Sequence, residues 1–563
     1  MRGALALVAL AGVLALGFAA AAARREGSAG AQGPMARRAE YVLDCRAPGH
    51  RISPLVYGIA GAGDDPASVW ELGATARRWG GNGSSRYNWE LGNAWNTNHD
   101  WFFRNVPVSH RSSFSYEQFL DENARHGVAT ALTVPMLGWV AKDATSYSFP
   151  VSELGRQAQS APDLPDAGNG VRLDGTLLPA APARTSVRST PESVERWVRA
   201  IRARDLERGR RRVHAYILDN EPMLWHETHR DVRSEPATYD ELLERTIAYA
   251  SAIRRADPGA TIAGPAAWGW LEYQYSAADV KAGVERRPDR RKHGDVPLLA
   301  WYLRKIREYE ERTRTRLLDV VDVHFYPAND AVGASEKGAT DPASAALRIR
   351  STRSLWDPTY VDESWIGERM AVIPLVRDWI AKSHPGLGIS IGEWNFGAEG
   401  HMSGGLAVAE VLGRFGLEGL HSAYYWTYPP ARSPAFWSFR AYRNYDGAGG
   451  RFLDWSIPVH GEAPLASLFA SADDDRRHVV AVLLNLAPDS PLAARVELGQ
   501  CGVVSRARVF TYAGGPTGFR RVQAAPAGGG VDVAVPPYSI TVVEATLALP
   551  SVRIPNEGSA RNH

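Results

Sequence analysis

Val213-His214-Ala215-Tyr216-Ile217-Leu218-Asp219-Asn220-Glu221-Pro222-Met223-Leu224-Trp225 opens as a short apolar run and breaks off at Asp219-Asn220-Glu221-Pro222. A strand buried on both faces of a parallel sheet reads as an unbroken apolar run, and it delivers polar residues where it surfaces. Two readings of that end are open. Glu221 and Asn220 can act together on a sugar, the carboxyl giving a proton to a glycosidic oxygen and the amide bonding a neighbouring hydroxyl. Alternatively, Glu221 opens a helix that carries Pro222 in its first turn.

Gly388-Ile389-Ser390-Ile391-Gly392-Glu393-Trp394-Asn395 repeats the pattern, an apolar strand ending in a glutamate. Six further runs complete a set of eight predicted strands: 55–59, 76–79, 130–135, 213–218, 261–264, 320–325, 388–392 and 421–426. Amphipathic helices lie between them, at 192–209, 239–256, 297–313 and 371–383, the last closed by His384-Pro385-Gly386. Strand and helix alternating eight times predicts an α/β fold of the (β/α)8 barrel type over residues 55–458. A doubly wound sheet is the alternative, without a Gly-rich phosphate fingerprint to support it. Two long connections, 152–190 and 329–365, follow the third and sixth strands, and so belong at the C-terminal face, where barrel active sites are built.

On this count Glu221 ends strand four and Glu393 ends strand seven, on opposite sides of the barrel mouth. Retaining glycosidases use such a pair with carboxyls about 5–5.5 Å apart, one as acid/base and the other as nucleophile. Other strand ends supply sugar-binding groups. Asn82 follows Arg78-Trp79-Gly80-Gly81, Tyr326 can hold the nucleophile's carboxylate or the sugar, and Trp426 can floor the ring being cleaved. His324 reads as a hydrogen-bonded mouth histidine that orients its neighbours. Trp101, Trp225, Trp268 and Trp270 are either outer stacking platforms or packing.

Composition narrows the partners. The formal net charge of +2 and the dispersed Lys and Arg exclude a strong field for nucleic acid. The 18 tryptophans, many in loops, suit a carbohydrate cleft. Arg2, the apolar run 4–18 and the small-residue tail 19–23 read as a signal peptide over residues 1–23, with an uncleaved anchor as the alternative. The protein is therefore expected to be secreted, with no membrane association after cleavage. Residues 24–40 are expected to form a disordered linker, and 550–563 a disordered tail. Residues 459–549 alternate as short, turn-punctuated strands and predict a β-sandwich, joined by an N-terminal strand within 41–54. That pairing would bring Cys45 toward Cys501, the two cysteines of the chain, and sequence leaves their bonding open. The sandwich strands are poor in aromatics, which favours a packing role over glycan binding. The polar positions Asp163, Asp166, Asn169 and Asp174 lack the spacing of a calcium loop.

Longer stretches carry a family resemblance: Arg78-Trp79-Gly80-Gly81-Asn82 with Arg86-Tyr87-Asn88-Trp89, and Leu218-Asp219-Asn220-Glu221-Pro222. Leu318 to His324, Leu355 to Tyr360, Ser364-Trp365-Ile366-Gly367, Gly404-Gly405 and Tyr442 to Gly447 follow in order. With these, residues 41–545 resemble glycoside hydrolase family 44, retaining endoglucanases and xyloglucanases built as a (β/α)8 barrel with a β-sandwich. The resemblance implies Glu221 as acid/base, Glu393 as nucleophile, and Asn82, Trp101, Asn220 and Trp426 as sugar contacts. The chain departs from the pattern at Trp394, where Tyr is usual, at Gly392, where a hydroxyl residue is common, and in the expanded segment 152–190. The expected enzyme is a monomeric endo-β-1,4-glucanase acting on a β-glucan polysaccharide, with no required cofactor, no metal in the site and room for a structural calcium. An exo-acting glycosidase or a xylanase is the first alternative, and a non-catalytic polysaccharide-binding protein the second.

Overall fold

The computed structural model describes residues 36–61, 67–333 and 338–548. The expected signal peptide, the linker up to residue 35 and the tail lie outside these residues. Eight parallel strands close a barrel in chain order: β1 (Gly58–Ala60), β2 (Ala76–Trp79), β3 (Ala129–Val134), β4 (Val213–Leu218), β5 (Thr261–Ala267), β6 (Val320–Phe325), β7 (Gly388–Trp394) and β8 (Ser422–Trp426). The strands are almost wholly buried, because the interior takes one face and the ring of helices the other. Pro191–Glu207, Tyr239–Ala256, Leu298–Thr313 and Val372–Ser383 belong to that ring; the second has its predicted bounds and the others differ by a residue or two at one or both ends.

The first strand is shorter than predicted. Residues Pro54–Tyr57 form a 3-10 turn, with Ser53 Oγ accepting from the Leu55 N–H at 3.3 Å, and pairing begins only at Gly58. The fixed φ and missing N–H of Pro54 favour a turn at that point over a ladder. β7 runs two residues past its predicted end, so Glu393 sits within the strand and pairs in register with His324 of β6.

Two further sheets make the second layer system. One has the order Val459–His460, Arg37–Leu43, Leu492–Glu497, Gly530–Val535, Ala525–Ala527. The other runs His50–Arg51, Trp455–Ile457, Ala466–Ala472, His478–Asn485, Ser539–Ala548, Val503–Tyr512, Arg520–Val522. Arg37–Leu43 pairs parallel to Leu492–Glu497, so residues 37–40 are strand and not the loose linker expected there. Their pairing with residues 492–495 gives the backbone along that edge partners, which outweighs the Arg-rich composition. Trp455–Ile457 already belongs to this layer, a few residues before the expected boundary. A disulfide joins Cys45 to Cys501 at the edge of the sandwich core. The helix Met402–Leu417, which follows β7, lies against sandwich strands Ala466–Ala472, His478–Asn485 and Ser539–Ala548. Among the described residues no helix is long and apolar enough to cross a membrane.

Candidate active site

Glu221 and Asp219 both have left-handed backbone, with φ of 45° and 60°. Non-glycine residues in that region cost about 1–3 kcal/mol each, and such strain persists only where the surroundings fix it. Here the buried Asp219 carboxylate does so. It accepts from the Ser85 hydroxyl, the Met136 N–H and, at 2.7 Å, the Asn220 N–H. The Glu221 N–H donates to Ala266 O at 3.0 Å. Pro222 then starts a 3-10 turn, Pro222–Leu224, so Glu221 does open a short helical turn with Pro222 in first place.

Arg78, wholly buried at the end of β2, ties the two halves of the mouth together. Its Nη1 donates to Gly392 O at 2.7 Å and to Glu393 Oε1 at 2.9 Å, and its Nη2 to Asn220 Oδ1 at 3.0 Å. Tyr326 OH donates to Glu393 Oε2 at 2.9 Å. The His324 ring lies between the glutamates, with Nε2 3.1 Å from Arg78 Nη1 and Nδ1 2.9 Å from Glu221 Oε1. A guanidinium only donates, so Nε2 must accept and Nδ1 must carry the proton that goes to Glu221, a tautomer assigned from the network. Burial, then the charge of Arg78, holds His324 well below the usual histidine range, in keeping with that neutral ring.

The same surroundings separate the two carboxyls. Burial raises Glu221 well above the ordinary glutamate value, and the charge of Glu393 raises it further. Burial also raises Glu393, but Arg78 and the Tyr326 hydrogen bond both pull it back. Burial and charge thus lift Glu221 further than Glu393.

Among the described residues one group of three could offer metal ligands, Glu221, His324 and Glu393, with ligand atoms within 4.8 Å of one another. The wiring argues against that use: the His324 nitrogen nearest both carboxylates is the one bearing hydrogen, so it has no lone pair to give.

Asn82 and Asn220 sit side by side. The Asn220 amide donates to Asn82 Oδ1 at 3.1 Å, and Asn82 Nδ2 donates to Asp100 Oδ2 at 3.0 Å. Trp426 ends β8, and a Cβ on Gly81 (φ +81°) would come within 2.3 Å of its ring, so the indole packs against bare backbone there. Trp101 is 44 % exposed on the 3-10 turn Asn98–Trp101. Trp225 is core and no platform: it is buried, and its Nε1 donates to Asn220 O at 3.1 Å. Trp268 and Trp270 line a cavity of about 160 Å³ with Tyr326 and Trp365.

Sequence reading passed over several members of the site. Arg78 and Trp365 stood inside quoted motifs without a role. Glu272 accepts from Met223 N–H at 2.9 Å and Trp268 N–H at 2.6 Å, and burial pushes it up to about 8. Both departures at β7 have structural reasons. A Cβ on Gly392 would meet Asp322 Oδ2 at 2.4 Å, so the bare backbone makes room for that buried carboxyl. Trp394 is buried against Phe415 and Tyr425 behind the strand, with ring centroids 5.3 and 4.9 Å away.

The model of glycoside hydrolase family 44 matches residues 94–329. A bifunctional glucanase-xylanase from a metagenome library is similar in structure, with a TM-score of 0.84 and 32% identity over 91% of this chain and 99% of that one. A Paenibacillus polymyxa xyloglucanase of the same family has a TM-score of 0.77 at 24% identity, covering 91% and 100%, a likeness of fold. A β-mannanase/endoglucanase A from Caldicellulosiruptor saccharolyticus is 28% identical over 84% of this chain, which spans 36% of that longer protein.

Proposed function

The chain belongs to glycoside hydrolase family 44, and from that premise we propose that it is a secreted, monomeric, retaining endo-β-1,4-glucanase. Glu393 attacks the anomeric carbon as the glycosidic C–O bond breaks, and the Glu221 proton goes to the leaving oxygen. Glu221 then takes a proton from water, whose oxygen displaces Glu393 and releases the sugar with retained configuration. One observation carries this reading: an oxygen of each glutamate lies within 4.8 Å of the other, close to the spacing of retaining enzymes and short of the about 6.5–9.5 Å of inverting ones. The opposed charge environments of the pair support the same division of roles.

In this reading Asn82, Asn220 and Tyr326 hold hydroxyls, Trp426 floors the cleaved ring and Trp101 is an outer platform. No cofactor takes part, and any calcium is structural. The Cys45–Cys501 disulfide supports export, because such bonds persist in oxidising compartments. The substrate is a soluble β-glucan: a cellulose derivative, xyloglucan or mixed-linkage glucan. Xylan is the second reading, on the strength of the glucanase-xylanase relative.

Viscosity and reducing ends followed together on xyloglucan, carboxymethyl cellulose and xylan test the reading. A fast viscosity drop on a glucan marks endo attack, and early release of single sugars would replace it with an exo enzyme. Glu393→Gln is expected to fold and to lose at least about 10⁴-fold in kcat, as removal of a nucleophile does. Substantial turnover by that variant, with deamidation excluded by mass spectrometry, would remove the nucleophile assignment.

A further inference from the structure

The chain leaving β5 holds the surroundings of Glu221 at three points. Ala266, with a left-handed φ of 55°, offers the carbonyl that accepts the Glu221 N–H at 3.0 Å. Glu272, on the five-residue helix Trp270–Gln274, takes the Met223 N–H on Oε1 at 2.9 Å. Tyr273, next on that helix, donates its hydroxyl to the backbone carbonyl of His324, the residue whose ring hydrogen-bonds Glu221.

Glu272 is more than a helix cap. Its Oε2 accepts the Trp268 N–H at 2.6 Å, a local contact that reaches back past the helix start much as in a capping box. Its Oε1 contact is not local: Met223 lies 49 residues away, in the turn Pro222–Leu224. The first N–H groups of such a turn have no partner inside it, and Pro222 has no N–H to satisfy. Glu272 supplies the partner for Met223, two residues after Glu221.

A carboxyl is a costly group to bury for that task. Glu272 is 2 % exposed, and among the described residues no cation pairs with it; it answers to burial and to the two N–H groups. A neutral acceptor would be desolvated more easily, but could not bond the two donors through two separate oxygens. Once ionised, Glu272 adds to the rise of Glu221 that burial and Glu393 produce, so it lies within electrostatic reach of the acid. Perturbed carboxyls of this kind gather at functional sites.

We propose that Glu272 is a positioning residue for the acid/base step. With Tyr273 it fixes the turn that carries Glu221 and the strand end that carries its histidine partner, so that the Glu221 carboxyl is held in reach of the leaving oxygen. The proposal rests on the enzymatic reading above, because Glu272 acts only through Glu221.

Aryl cello-oligosaccharides with different leaving groups test it. A phenolate needs the Glu221 proton as the C–O bond breaks, whereas a dinitrophenolate departs without one. Glu272→Gln keeps the shape but turns an NH2 group toward one of the two N–H donors, so one contact is lost. The variant is expected to lose about 10- to 100-fold in kcat/KM on phenyl cellotrioside, and less than about threefold on the dinitrophenyl analogue. On whichever of xyloglucan and carboxymethyl cellulose the unsubstituted protein cleaves, it is expected to lower kcat and keep KM. Tyr273→Phe is expected to show the same selectivity at smaller size, and decides the matter should Glu272→Gln not fold. A residue that merely supports the fold would slow both aryl substrates alike, or lower Tm alone. Equal losses on the two, or an unchanged kcat on the polymer, overturn the assignment. Cleavage by the unsubstituted protein without the selective loss in the variants removes only the role of Glu272; no cleavage of any substrate removes the enzymatic reading, and this one with it.

Discussion

Arg78 places one guanidinium against three acceptors on other strands and a fourth on the histidine between the glutamates. In the proposed mechanism its charge keeps Glu393 ionised beside a protonated Glu221, so kcat/KM is expected to be bell-shaped in pH. The acid limb follows ionisation of Glu393 and the alkaline limb loss of the Glu221 proton. A lysine ammonium cannot reach all these acceptors from one point. Arg78→Lys is therefore expected to lower kcat about 100-fold and to move the acid limb to higher pH, because the Glu393 carboxylate loses its nearest counter-charge. Tyr326→Phe, which deletes one hydrogen bond to the same carboxylate, moves the limb the same way by less. An acid limb that stays put in both variants would mean that another group titrates there. The glutamates, Asn220 and Tyr326 were legible because each ends an apolar run. Arg78 was not, because its partners Asn220 and Glu393 lie 142 and 315 residues away and nothing local marks the contact.

At the level of strands, the register between β6 and β7 shifts at Gly392, which is skipped between the pairs Val323–Ile391 and His324–Glu393. The Asp322 carboxyl is wholly buried, and burial pushes it up to about 6 against the pull of Arg78. It occupies the space that a side chain at 392 would fill. Gly392→Ala must therefore push either the carboxyl or the strand. The expected cost is about 1–3 kcal/mol of stability, as for other overpacked cores, together with a fall in kcat because Glu393 is the next residue. Urea unfolding and initial rates on the same preparation check this; unchanged stability with unchanged kcat would mean that the interior has slack. The sequence pattern showed these strands because parallel strands buried on both faces are apolar throughout. It overran at β1, where Pro54 turns the chain, and passed over Ala466–Ala472. That strand, Ala-Ser-Leu-Phe-Ala-Ser-Ala, is poor in β-branched residues and is held by its pairing with His478–Asn485.

Across the described residues the chain passes from the sandwich through the barrel and back, and the disulfide spans 456 residues of sequence. Both ends of the fold are thereby tied to the same core, and the response to acid is set by groups buried inside it. His214 and His421 stack with ring centroids 5.8 Å apart on β4 and just before β8. Burial, then the neighbouring His214, holds His421 down to about 4; burial lowers His214, and lowers His229 and His324 further. Unfolded, each titrates near the ordinary histidine value of about 6.5. Below that pH the unfolded chain binds protons that the native one refuses, so stability is full above about 6.5 and falls as pH drops toward 4. His421 alone contributes about 2–3 kcal/mol of that loss, since a shift of one pH unit is worth about 1.4 kcal/mol. Denaturation midpoints measured from pH 7.5 to 4 are expected to fall, and in His421→Gln, which has no proton to take up, to fall less steeply whatever its stability at pH 7. An equal slope in that variant would shift the acid response to carboxylates such as Asp143, held at about 2 by its hydrogen bonds to Ser146 and Thr145 against the opposing effect of burial. That response belongs to a lower window, between the unfolded carboxylate range and pH 2, and the two are separable on the same titration.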